Sequence, residues 1–348
     1  MISRRACFRN LIQSLRTGST ASKLRSSNCY TSRTAPSLQP VVELSPDSDD
    51  EYADVDWDNL GFSLRPTDYM YITKCSGGDS FEEGHLSRYG NIELSPSAGV
   101  LNYGQGLFEG TKAYRRENGR LCLFRPDQNA IRMQVGAERM CMPSPSIHQF
   151  VEAVKQTAFA NKRWIPPPGK GSLYIRPLLM GSGPVLGLGP APECTFLIYA
   201  SPVGNYFKEG LAPLNLFIDD EYHRATRGGA GGVKTITNYS PDNVISTPAT
   251  GGTILEGVTR KSIVDIALDH GYQVKEQCIP VEEVMEADEV FCTGTAVGVA
   301  AVGSITYQGK RVEYKMGDQC VSQELFSTYM GIQKGDIEDK KGWILEID

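Results

Sequence analysis

Arg227-Gly-Gly-Ala-Gly-Gly-Val-Lys234-Thr-Ile-Thr-Asn-Tyr239 sets a lysine behind a glycine-rich turn, with a tyrosine five residues on. That arrangement suits an amine that must reach a buried carbonyl. A desolvated lysine can lose its proton near neutral pH and form a Schiff base. The run also looks like a phosphate-cradling P-loop, but that motif needs glycine directly before the lysine. Val233 stands there instead, which argues against nucleotide binding. Outward from this stretch, only residues 240–252 separate Tyr239 from a second candidate element, Thr253-Ile-Leu-Glu-Gly-Val258.

The chain has 348 residues and net charge −6. That length predicts two domains, and 40% hydrophobic residues suffice for a real core. No apolar run approaches the roughly 20 residues of a membrane span, so no membrane partner is expected. The acidic balance gives no reason to expect nucleic-acid binding. Charge is uneven along the chain. Residues 1–42 hold Arg4, Arg5, Arg9, Arg16, Lys23, Arg25 and Arg33 and no acid, with Phe8, Leu11, Ile12 and Leu15 at helical spacing. Such an Arg- and Ser-rich, acid-free start reads as an organelle transit peptide, mitochondrial by its arginines, with the chloroplast as the alternative. Residues 43–56 form an acidic linker, and order is expected from about Trp57. None of the nine cysteines has C-x-x-C spacing and the four histidines are scattered. Neither a zinc site nor a redox pair is signalled; the thiols are expected to be reduced and mostly buried.

Helices are predicted over 126–140, where Pro126 opens the first turn and Ile131, Val135 and Met140 follow, over 146–164, and over 257–270. Residues 99–114 read as a turn and strand. Strands are predicted over 172–180, 195–203 and 214–219, and 289–307 is β-rich. Four glycines and three prolines between Gly181 and Pro192 read as a connection between domains. The division expected is a smaller α/β domain at 57–182, the connection at 183–192 and a cofactor domain at 193–348. Strands mixed with helices in two blocks give an α+β or α/β protein.

Several motifs now occur in order: Leu101-Asn-Tyr-Gly-Gln-Gly-Leu-Phe-Glu-Gly110, Phe124-Arg-Pro-Asp-Gln-Asn-Ala-Ile-Arg-Met133, Ser172-Leu-Tyr-Ile-Arg-Pro177, the Lys234 run, and Glu289-Val-Phe-Cys-Thr-Gly-Thr-Ala296. From about Trp57 to Trp343 the chain resembles the branched-chain amino-acid aminotransferases, in the plant-type organellar branch of the class IV enzymes. The resemblance implies the D-amino-acid-aminotransferase-like fold (fold type IV), pyridoxal 5'-phosphate as cofactor, a homodimer, and branched-chain amino acids and 2-oxo acids as partners. It implies Lys234 as the Schiff-base lysine and proton shuttle. Tyr239 would meet the cofactor's phenolic oxygen. Arg132, the backbone of Thr253 and Ile254, and the Thr295 hydroxyl would hold the phosphate. The Thr295–Ala296 backbone would meet the substrate carboxylate. Phe62, Tyr103, Phe108, Tyr174 and Tyr206 would line the side-chain pocket, with Arg176 near it and Arg224 behind it. An aromatic pocket suits leucine, isoleucine and valine, each buried methylene contributing about 0.8 kcal/mol.

One departure from the family concerns the chemistry. Between Lys234 and Thr247-Pro-Ala-Thr250 the family carries a few dozen residues, including a glutamate that keeps the pyridine nitrogen protonated. Here Asn238 runs to Thr250 without them, so a truncated cofactor domain is expected, and Asp242 is the nearest candidate to replace the acid. Two alternatives stand beside the aminotransferase reading. One is an impaired or inactive relative that pairs with an intact subunit. The other is a different enzyme of the same fold, such as a D-amino-acid aminotransferase. Where the animal members carry a redox Cys-x-x-Cys, this chain has Val297-Gly-Val-Ala300, so no thiol switch is expected there.

Overall fold

The computed structural model describes residues 52–76, 80–204, 213–218, 229–239 and 254–347. The transit peptide expected over 1–42 lies outside them. In chain order the elements are β1 (Tyr69–Ser76), β2 (His85–Arg88), α1 (Gly99–Tyr103), β3 (Gly106–Phe108), β4 (Thr111–Arg115), β5 (Leu121–Phe124), α2 (Pro126–Arg139), α3 (Ile147–Ala160), β6 (Ser172–Gly181), β7 (Glu193–Val203), β8 (Leu214–Ile218), α4 (Val258–Asp269), α5 (Val281–Glu286), β9 (Phe291–Gly294), β10 (Gly298–Tyr307), β11 (Lys310–Glu313), α6 (Val321–Lys334) and β12 (Ile344–Glu346).

The larger sheet runs β12-β5-β4-β6-β7-β1-β2, with β3 also on β6, and every pairing is antiparallel. The smaller runs β11-β10-β8 with β9 on β10; its β8–β10 pair is parallel. No helix among the described residues is long and apolar enough to cross a membrane.

The helices start where their sequences say they should. Pro126 fills the first position of α2, where a missing N–H has no partner to lose. Ser146 caps α3, accepting from the Gln149 N–H while Gln149 reaches back, a reciprocal capping box. Both helices bury one stripe on the larger sheet: Ala130, Met133 and Ala137 from α2, Phe150, Val154 and Ala158 from α3. Side chains alternate across a strand. Leu173, Ile175 and Leu179 of β6, fully buried, therefore meet the helices, with Phe196 and Ile198 of β7 in the same cluster. Tyr174, Arg176 and Leu178, each half-buried, point the other way. That second face carries the site.

Four expectations are corrected here. Residues 183–192 do not connect domains: they join β6 to β7, paired neighbours from Ser172↔Val203 to Gly181↔Cys194. Glycine and proline mark a turn without saying where its ends lie. The start of 99–114 is a short helix, closed by Gly104 in the left-handed conformation (φ 64°). Order begins before Trp57, since Ala53 is buried and its N–H donates to the Arg163 carbonyl at 2.8 Å. Ile131 and Val135 are 38% and 55% exposed, so the buried stripe of α2 lies one position away from the predicted one. Of the seven described cysteines, four are buried and Cys141 and Cys278 are exposed.

Candidate functional site

The lysine run is bound to the larger sheet by its backbone. Thr235 forms a bridge with Leu107 of β3, and the Phe108 N–H donates to the Lys234 carbonyl at 3.1 Å. The fully buried Thr235 hydroxyl donates to the Gly106 carbonyl at 2.8 Å. Asn238 closes the glycine turn with its amide, donating to the Ala230 carbonyl at 2.7 Å and the Val233 carbonyl at 2.8 Å. These bonds set Lys234 Nζ 4.3 Å from the centroid of the Phe108 ring.

Phe108 pairs with Leu178 and Lys112 with Tyr174, so Phe108, Lys112, Tyr174 and Arg176 share one face of the sheet. The Arg176 guanidinium stacks 4.8 Å from the Phe108 ring and 5.2 Å from Tyr174. It donates to the Tyr174 hydroxyl at 3.1 Å, while its buried Nε finds no partner among the described residues. Phe62 meets Tyr174 edge to face at 5.3 Å, a favoured aromatic geometry. Gly110 makes the room: a Cβ there would lie 2.2 Å from the Tyr174 hydroxyl.

A cleft of about 220 Å³ opens beside this face, lined by Gln128, Ile131, Arg132 and Val135 of α2, Gly232 of the lysine run, and Ile254, Glu256, Val258 and Lys261 at the start of α4. Arg132 is fixed by Glu109, with Nε to Oε1 at 2.7 Å and Nη2 to Oε2 at 2.5 Å, a two-pronged pair. Nη1 donates to the Glu256 carbonyl at 3.3 Å. Glu109 is wholly buried and also accepts from Asn129 at 2.9 Å. Thr295 and Ala296 lie in the turn between β9 and β10, and Lys112 Nζ donates to the Ala296 carbonyl at 3.1 Å. Burial pulls the Lys112 ammonium down to about 8.

The structure thus brings Lys234, Phe108, Tyr174, Arg176 and Phe62 into one cluster, and Arg132 and Ile254 into the adjoining cleft. Thr295 lines a small cavity together with Lys112 of β4 and Tyr329 and Gln333 of α6. Tyr103 stands apart: it is 41% exposed, and its hydroxyl donates to the Leu186 carbonyl. Tyr206, Arg224, Asp242 and Thr253 lie outside the described residues, as does the side chain of Tyr239. Sequence reading missed Glu109 and Lys112. Glu109 left a trace, a lone acid inside the apolar run Gly106-Leu-Phe-Glu-Gly110; Lys112 left none.

Residues 211–305 match the family described as amino-transferase class IV. The fold is that of fold type IV. The crystal structure of Escherichia coli branched-chain amino acid aminotransferase superposes with a TM-score of 0.65 at 23% identity, over 81% of this chain and 100% of that one. Closer in sequence is "Branched-chain-amino-acid aminotransferase 2, chloroplastic" of Arabidopsis thaliana, 63% identical over 88% of this chain and 89% of its own. "Branched-chain amino acid aminotransferase 1, mitochondrial" of Humulus lupulus is 58% identical over 100% of both chains. The chain belongs to the branched-chain aminotransferase family. The Humulus alignment runs over 393 positions against 348 residues here, so it contains positions that this chain leaves empty.

Proposed function

We propose that this chain moves the amino group of leucine, isoleucine or valine to 2-oxoglutarate, reversibly, with pyridoxal 5'-phosphate as cofactor. The observation that carries the reading is Lys234 Nζ set against the Phe108 ring of the aromatic sheet face, while Gly232 of the same run lines a cleft walled by Arg132 and the start of α4. The donor set fits that cofactor: an amine on the glycine run, with a guanidinium and a helix N-terminus at the cleft which that run lines. A helix N-terminus favours an anion, and the Glu109 pair fixes the Arg132 guanidinium at the cleft wall.

When bound, the cofactor supplies an electron sink for the substrate's α-carbon. The chain's own residues do the rest. Lys234 takes the α-proton as a neutral amine and returns it on the other side of the transfer. Arg132, Thr253, Ile254 and the Thr295 hydroxyl hold the phosphate, and Tyr239 holds the phenolic oxygen. The Thr295–Ala296 amides orient the substrate carboxylate. Phe62, Phe108 and Tyr174 enclose the aliphatic side chain and exclude water, with Arg176 at their edge.

We infer two domains divided after β7, between the two sheets, and a homodimer. Leu101, Leu186 and Leu188 are 60%, 91% and 96% exposed, and such apolar surface beside a site suits a subunit contact. An organelle, mitochondrion or plastid, agrees with the relatives' names and with residues 1–42. A second reading, an impaired member, draws on the short connection after Tyr239 and on the empty positions in the alignment. The test is glutamate formation from 2-oxoglutarate with leucine, valine, isoleucine or D-alanine as donor. Transfer from the branched L-amino acids, lost in Lys234→Ala, supports the proposal. Transfer from D-alanine alone, or none, overturns it.

A further inference from the structure

Among the described residues Lys112 has no carboxylate partner. It lies in β4, 184 residues from Ala296 in sequence, and its side-chain hydrogen bond among the described residues is the one to the Ala296 carbonyl. The small cavity where β4, β5, α2, α4, α6 and the β9–β10 turn meet is lined by Lys112 with hydroxyl and amide side chains such as Thr111, Asn129, Thr295 and Gln333 and by the apolar Phe124 and Val258, with no acid among them. The neighbouring cation is already matched, since Glu109 neutralises Arg132. The titratable and charged groups placed near Lys112 among the described residues are Tyr174, its cross-strand partner, Arg176 on the same sheet face and Tyr329 across the cavity; Asn129, which also lines the cavity, donates to Glu109. None of those groups is a carboxylate.

A largely buried ammonium whose described partner is a neutral carbonyl is costly unless an anion completes the pairing. The anion class that fits here is a carboxylate. We propose that Lys112 is a positioning residue for the carboxylate of the amino-acid and oxo-acid substrates: it fixes the Thr295–Ala296 turn through the Ala296 carbonyl, and its unmatched charge favours an anion at that turn. The proposal rests on the aminotransferase reading and deepens it. A lysine that merely tied the hairpin to the sheet would give the same hydrogen bond, but its protonation would not respond to a bound carboxylate.

Linkage separates the two roles. An anion near Lys112 stabilises its protonated form, so carboxylate binding weakens once the ammonium deprotonates above about 8. The experiment is calorimetric titration of the cofactor-loaded full chain from about pH 7 to about pH 9.5. The probes are 4-methylvalerate and its uncharged counterpart 4-methylpentanamide. In the wild type, carboxylate affinity falls above about pH 8, by up to about tenfold per unit, and amide affinity does not. Lys112→Arg, charged throughout, keeps most of the affinity and loses the fall. Lys112→Met binds the carboxylate about 10- to 100-fold more weakly at pH 7 with no change for the amide. A flat wild-type profile, the same fall in Lys112→Arg, or a folded Lys112→Met that binds like the wild type would each overturn the proposal. The cofactor's absorbance band, read in the same samples, reports separately on the aminotransferase reading.

Discussion

Glu109 and Arg132 show what single residues contribute here. A wholly buried carboxylate and a guanidinium 11% exposed are tolerable only as a pair, and removing one partner of such a pair costs about 3–5 kcal/mol. Glu109→Gln is therefore expected to lower the urea-unfolding free energy by an amount of that order. It is also expected to make stability depend more on pyridoxal phosphate, because the phosphate becomes the main counter-ion of Arg132. Thermal unfolding with and without cofactor checks this: a larger cofactor-induced rise in Tm than in the wild type is the expected result. Lys112 gives a pH dependence of opposite origin. Its folded pKa lies near 8, below the ordinary 10.5, so between those values the unfolded chain holds a proton that the folded chain has lost. Unfolding free energy relative to Lys112→Met is expected to rise with pH across that window and to level off outside it, as denaturant titrations at several pH values would show. Lys234 is legible in sequence because a glycine run and a nearby tyrosine mark it locally. The partner of Lys112 is not local, and no pattern around residue 112 points 184 positions away.

At the scale of elements, the site depends on β3 and β4 lying close under the lysine run. Gly104 takes a left-handed conformation, and a Cβ there would lie 2.5 Å from Thr237 Cγ2. Gly104→Val is expected to push residues 235–237 away and shift Lys234 with them. Overpacking of this kind costs about 1–3 kcal/mol, and activity should fall further than stability because the lysine loses its register. Comparing Tm with the rate of glutamate formation separates the two effects. The helices α2 and α3 were legible because their start signals are local in sequence: proline at the first turn of one, a serine with a glutamine three residues on at the other. The exposed side of α2 was not. Ile131 and Val135 follow helical spacing, yet they line the cleft beside Arg132 instead of the core, and hydrophobic spacing does not distinguish a core face from a ligand face. Residues 183–192 carry the composition of a linker and serve as a hairpin loop; composition reports local bending, whereas strand pairing is decided by contacts far away.

The whole molecule combines an antiparallel sheet that presents the aromatic face with a smaller sheet whose β9–β10 turn returns Thr295 and Ala296 to it. Exposed leucines at 101, 186 and 188 are expected to lie in the homodimer contact. The double substitution Leu186→Asp with Leu188→Asp should shift sedimentation from dimer to monomer and reduce activity. The central claim is that this shortened family member performs the amino transfer at Lys234. The visible spectrum of purified residues 43–348 with pyridoxal phosphate, taken before and after leucine, tests it most directly. The expected result is a Schiff-base band that is absent in Lys234→Ala and bleaches to the pyridoxamine form when leucine is added. A missing band, or one that leucine leaves unchanged, would contradict the claim and favour the impaired member.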